Sequence, residues 1–184
     1  NRFNVIPKFC FSCFKIQISP KNVLELFKLF FIFDKLKLPK NNTRKCMIEL
    51  RPKTSGTYKG LIYCSSTEEA NEIIQAITPI LNKFNIGKSK IKRGCTEYGD
   101  AFPDYKEINK NSIHFMEYKD EWEEKEKIID ATKTKNLPNP KDSLQGLSVF
   151  DILIMNNWLI YAKKINDLTY KDISEEIIYS NNVS

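Results

Sequence analysis

The chain has 184 residues, 41% of them hydrophobic and 28% charged, with 6 Gly and 8 Pro. A packed core is within reach of that composition, which argues against disordered, collagen-like and coiled-coil classes. The net charge of +6 is unevenly divided: residues 1–96 hold 18 Lys and Arg against 6 Asp and Glu, whereas residues 97–184 hold 11 against 17. Such a split predicts a basic module that meets an anion, or an acidic stretch that covers a basic face of the same molecule.

Residues 1–9 lack the charged, apolar and small-residue regions of a secretory leader. The most apolar run, 23–33, is about half the ~20 residues a membrane span needs, and Glu25 and Lys28 interrupt it. A cytoplasmic protein with no membrane span is expected. Five cysteines without a secretory context predict reduced thiols or metal ligands rather than a disulfide frame.

Phe14-Lys15-Ile16-Gln17-Ile18 alternates with period two, the pattern of a strand with one buried face. Ser19 and Pro20 are expected to cap and open a helix in which Val23, Leu24, Leu26, Phe27, Phe30 and Phe31 recur at helical spacing, with Pro39 closing the segment. Residues 45–51 alternate again, Cys46, Ile48 and Leu50 to one side and Lys45, Met47, Glu49 and Arg51 to the other; 52–57 read as a turn and 58–64 as the return strand. Ser66 and Glu69 spell a capping box, opening a helix with Ala70, Ile73, Ile74, Ile77 and Leu81 on one face, a kink at Pro79 and an end at Gly87. Residues 90–94 read as a short basic strand.

The order β-α-β-β-α-β predicts an α+β protein: a ferredoxin-like, four-stranded antiparallel sheet with two helices on one face, followed by a helical C-terminal extension. The expected division is a basic module over 1–96 and an acidic extension over 97–184. That extension contains a loop at 97–111, a linker at 132–140, and helices near 113–129, 147–165 and 169–178.

In the strand order 4-1-3-2, Cys10 and Cys13 precede the first strand, Cys46 starts the second, Cys64 ends the third and Cys95 follows the fourth, so all five thiols are expected at one end of the sheet. A Cys-x-x-Cys knuckle with two further thiols is the ligand set of a closed zinc site, or of an iron–sulfur cluster. Cys10, Cys13, Cys64 and Cys95 are therefore the candidate metal ligands, and Cys46, on the apolar side of its strand, is left to the core. Against this stands the ordinary behaviour of free cysteine as a small buried hydrophobe.

Tyr58-Lys59-Gly60-Leu61-Ile62-Tyr63-Cys64 resembles the third-strand ribonucleoprotein element of RNA-recognition motifs, and residues 14–18 resemble their first-strand element. Leu61 and Ser66 stand where that family has aromatics, and Lys15 and Gln17 take the open face of the first strand. The resemblance implies RNA bound across strands 1 and 3. Independently, Lys15, Lys45, Arg51, Lys59, Lys90, Lys92 and Arg93 are expected to line one face for RNA, DNA or another polyanion, unless the acidic C-terminal part packs across it. Residues 168–177 resemble the first helix of a helix-turn-helix but are expected to form only a capped structural helix.

Little points to catalysis. His114 has no nucleophile motif beside it, no phosphate loop or hydrolase signature occurs, and Glu117, Asp120, Glu121, Glu123, Glu124 and Glu126 read as a solvated helix face. The expectation is a non-enzymatic binding module with a Cys-ligated zinc or iron–sulfur site at one sheet end and an anionic partner. Two alternatives stand beside it. One is a thiol-dependent enzyme or redox protein using Cys95 or the Cys10/Cys13 pair. The other is an assembly subunit whose C-terminal apolar helix, through Phe150, Trp158 and Leu159, meets a protein partner.

Overall fold

The computed structural model describes residues 4–52, 54–132 and 146–174. Helix and strand are mixed. The elements run β1 (Phe14–Ile18), α1 (Val23–Lys35), β2 (Arg44–Ile48), β3 (Tyr58–Cys64), α2 (Thr67–Lys83), β4 (Ser89–Arg93), α3 (Glu123–Thr132) and α4 (Val149–Lys164). The four strands form one antiparallel sheet in the order β2-β3-β1-β4.

The alternation in β1 decides which side is core. Phe14, Ile16 and Ile18 pack with Ile62 and Cys64 of β3 against Leu29 and Phe33 of α1 and Ala70, Ile73, Ile77 and Leu81 of α2. Both helices therefore lie on one sheet face. Gly60 is where α1 comes closest: a β-carbon there would collide with Leu29. The chain can cross so tightly only because that position has no side chain.

Local signals are met with shifts. Asn22, not Ser19, caps α1: its side chain accepts from the Glu25 amide at 2.9 Å. The Ser19 amide instead bonds to the Lys88 carbonyl beside the β1–β4 ladder. Ser66 caps α2 as expected, accepting from the Glu69 amide at 3.1 Å. The Glu69 carboxylate, however, turns to the Ser65 amide and hydroxyl and to Asn42. Burial opposes its ionisation, but those bonds prevail and bring its pKa down to about 2. The helix ends at Lys83 rather than at Gly87, with Asn85 in the left-handed region. β2 stops at Ile48, leaving Leu50 exposed.

After β4 the chain makes short 3-10 turns at Thr96–Asp100 and Pro103–Lys106. The helix expected near 113–129 begins only at Glu123, after a turn at Asp120–Trp122. From the 113–119 stretch, Met116 and Tyr118 pack against Ile6, Cys10, Tyr105 and Trp122 in a small aromatic core around the N-terminal turn Lys8–Phe11, while Ile113 is exposed. In the linker, residues 133–145 lie outside the described residues, as does the end of the 169–178 helix, whose described part is a 3-10 turn, Leu168–Asp172.

α4 starts at a capping box between Ser148 and Asp151. Trp158, Leu159 and Ala162 in its second half are buried with Val23, Leu26 and Phe27 of α1 and with Tyr58 and Tyr170. Its first half is apolar and exposed: Val149, Phe150, Ile152, Leu153 and Ile154 are each 46% or more accessible. Among the described residues, no helix is long and apolar enough to cross a membrane.

Candidate anion-binding face and thiol cluster

Residues opposite one another on antiparallel strands share a face. The ladder pairs Lys15 with Lys92 and Tyr63, Gln17 with Lys90 and Leu61, Lys45 with Leu61, and Met47 with Lys59. Since Phe14, Ile16 and Ile18 point to the helices, Lys15, Lys45, Lys59, Lys90 and Lys92 all belong to the other face. Five of the seven expected cationic residues are thus brought together, and burial then separates them.

Lys15 and Lys59 are buried and internally bonded. Lys15 Nζ donates to the Gly94 carbonyl at 2.7 Å and to Thr96 Oγ1 at 3.4 Å; burial lowers its pKa, and the Glu97 carboxylate partly offsets that. Lys59 Nζ lies 3.2 Å from Glu49 Oε2, and Arg51 forks onto both oxygens of the same carboxylate at 2.8 and 2.7 Å. The Arg51 guanidinium, with Lys59, holds the Glu49 carboxyl far below the carboxylate range. The other lysines are presented to solvent: Lys45 and Lys90 are exposed, while Lys92 and Tyr63, on either side of Lys15, are half-buried. Burial pushes the Lys92 ammonium pKa down, and Lys90, Lys59 and Lys15 push it further.

Arg93 is not part of this face. It pairs in register with Phe14 on the helix side and is 1% exposed. Its guanidinium donates to the carbonyls of Phe11 (2.6 Å), Tyr105 (3.2 Å) and Met116 (3.4 Å). It also lies 5.1–5.7 Å from the ring centroids of Phe11, Phe14, Tyr105 and Phe115. Bonds to the carbonyls and the ring faces satisfy the buried charge.

The thiols gather in part. Cys10, in the N-terminal turn, and Cys95, just past β4, belong to the same small core. Sharing a proton with Cys10 lowers the Cys95 pKa, and the Cys95 sulfur raises that of Cys10. Cys13 sits beside them, its sulfur against the α-carbon of Gly94, with burial raising its pKa. Cys64 belongs to the core under the helices, opposite Phe14, and burial first of all brings its pKa up to about 11. Cys46 stands mid-strand opposite Gly60 rather than at the sheet end, packed against the core, its pKa raised by burial. Among the described residues, no group of three or more His, Cys, Asp or Glu side chains is arranged to hold a metal ion. His114 is exposed, with Nδ1 3.5 Å from Asp104.

Two features escape sequence reasoning. The alternation of Glu49 and Arg51 is a local signal for their pairing, although it does not reveal Lys59 as the third member. Asp167, which accepts from the Val23 amide at 2.7 Å and from the Tyr58 hydroxyl at 2.6 Å, has no local signal at all. The nearness of Cys10 and Cys95, by contrast, follows from the strand order that put both at one end of the sheet. No protein-family model, no curated protein and no solved structure matches the chain.

Proposed function

We propose that the chain is a non-enzymatic binding module, ferredoxin-like in arrangement, that engages the phosphate backbone of single-stranded nucleic acid on the sheet face opposite α1 and α2. The order β2-β3-β1-β4, which is 4-1-3-2 when read from β4, supports the arrangement. The carrying observation is the direct cross-strand opposition of Lys15 and Lys92, with Lys59 and Lys90 near enough to disfavour the Lys92 charge. Like charges directly opposite weaken a sheet, and a local rule broken in one place marks a site that something else completes. A phosphate backbone along Lys45, Lys90 and Lys92 supplies the missing negative charge, and Tyr63 offers a ring on which a base can stack. Zinc and iron–sulfur form no part of this function, because Cys64 packs in the core beneath the helices, whereas Cys10 and Cys95 belong to the separate aromatic core.

The test is fluorescence anisotropy with labelled single-stranded RNA and DNA over a salt series. Three presented lysines predict a slope of about −2 in log affinity against log salt, at roughly 0.7 per phosphate. The double variant K90E/K92E is expected to bind at least about tenfold more weakly at low salt. Absence of binding near 50 mM salt, or affinity indifferent to salt, would overturn the proposal.

A further inference from the structure

Between α1 and α2 the surface carries a groove of about 600 Å3, a size common among small-molecule sites. α1 turns Lys28, Phe31, Ile32 and Lys35 to it, residues three and four apart that share one side of a helix. α2 adds Ile80 and, at its end, Phe84, and the chain leaving α1 adds Leu36 and Lys37. Ile32 and Leu36 are half-buried against the main core and form the deep side of the groove. The rings of Phe31 and Phe84 remain 45% and 41% exposed, open to a guest. Among the described lining residues there are three lysines and no carboxylate, and all three lysines are exposed. Lys35 Nζ lies 3.7 Å from Asp34 Oδ2, but the lysine side chain is 87% exposed, so that pair is loose. A purely apolar guest would leave the three ammonium groups unmatched, and a compact anion would leave the rings in water.

We propose that this groove binds a single-chain carboxylate of the fatty-acid class. The alkyl chain lies between Phe31 and Phe84 over Ile32, Leu36 and Ile80, and the carboxylate is held among Lys28, Lys35 and Lys37. Burial of the chain supplies most of the affinity, and the lysines select the sign of the head. Concavity favours one chain over a bilayer: side chains that enter a lipid surface protrude from the protein, whereas here apolar groups surround a hollow. The groove belongs to the two helices, on the side of the sheet opposite the lysine-bearing face, so it is separate from the surface proposed for nucleic acid.

The full chain is titrated calorimetrically with octanoate, decanoate and dodecanoate below their micelle-forming concentrations, and the contact is mapped by amide NMR shifts. Each step of two methylenes is expected to tighten binding roughly tenfold. Dodecyltrimethylammonium, with the same chain and the opposite charge, is expected to bind at least about tenfold more weakly than dodecanoate, and so is dodecanoate to the triple variant K28Q/K35Q/K37Q. The shifts should centre on residues 28–37 and 80–84. Equal affinity for the two head groups, affinity indifferent to chain length, or shifts centred on the exposed apolar residues 149–154 of α4 would overturn the proposal. So would a chain that ignores dodecanoate, whether or not it sediments with phosphatidylserine vesicles. The head-group comparison and the shift map use the wild-type chain, so they decide even if the triple variant fails to fold. No nucleic acid enters the experiment, which therefore stands or falls separately from the binding function.

Discussion

Arg93 belongs to a strand whose other cations, Lys90 and Lys92, face away from it. Composition alone groups the three, and only alternation separates them: Lys90 and Lys92 share the face of Gln17 and Lys15, while Arg93 shares that of Phe14. There a buried guanidinium survives because three carbonyls from separate stretches of chain converge on it. Arg93→Met keeps much of the apolar stem but leaves those carbonyls unpaired, so urea unfolding should show a loss of about 3–5 kcal/mol. Lys90→Met, at an exposed position, should stay within about 0.5 kcal/mol of wild type. An Arg93→Met protein as stable as the wild type would show that the convergence contributes nothing.

The start of α1 is held from two directions. Asn22 caps it locally, and Asp167, 144 positions away, accepts from the Val23 amide, where the helix dipole favours an anion. The same carboxylate accepts from Tyr58 and Thr169. Burial raises the Asp167 pKa, but the bonds from Tyr58, Thr169 and the Val23 amide outweigh it and leave the carboxyl below its ordinary value. A pKa depressed by folding stabilises the protein above the unfolded-state value and loses that contribution as pH falls through the folded one. Asp167→Asn should therefore cost about 2 kcal/mol at neutral pH, and its deficit against wild type should shrink in strong acid, as the pH falls through the lowered folded-state pKa of the wild-type carboxyl. A deficit equal at both pH values would remove the charge from the explanation.

Across the molecule, the acidic half is joined to the basic half by two cores. Ile6 and Cys10 pack with Tyr105 and Trp122, and α1 packs with Trp158, Leu159, Ala162 and Tyr170. Removing residues 146–184 uncovers Val23, Leu26, Phe27 and Tyr58. At about 1.5–3 kcal/mol for each large apolar side chain lost from the contact, the remaining chain should lose 5 kcal/mol or more. Thermal unfolding and binding of a hydrophobic dye would measure this; a shortened chain that melts at the wild-type temperature and ignores the dye would mean that the sheet and its two helices stand alone.

Strand, helix and turn from residue 14 to residue 93 were readable from the amino acids, because period-two and 3.6-residue patterns and capping pairs act over a few positions. β1 and β3 begin and end where their alternation does. The same local reasoning failed at 113–119, where Met116 and Tyr118 serve a distant core rather than a helix face. At the thiols it served in part: strand order put Cys10 and Cys95 at one end of the sheet, where both join one core, but put Cys64 with them rather than under the helices. Alternation says that two residues lie on opposite faces without saying which face a helix will cover; that choice sent five lysines one way and Arg93 the other. Contacts between far-apart stretches depend on how whole elements dock, since the chain between them can close at almost any length with little change in entropy. Asp167 at α1 is therefore a property of the folded molecule, invisible in any window of its sequence.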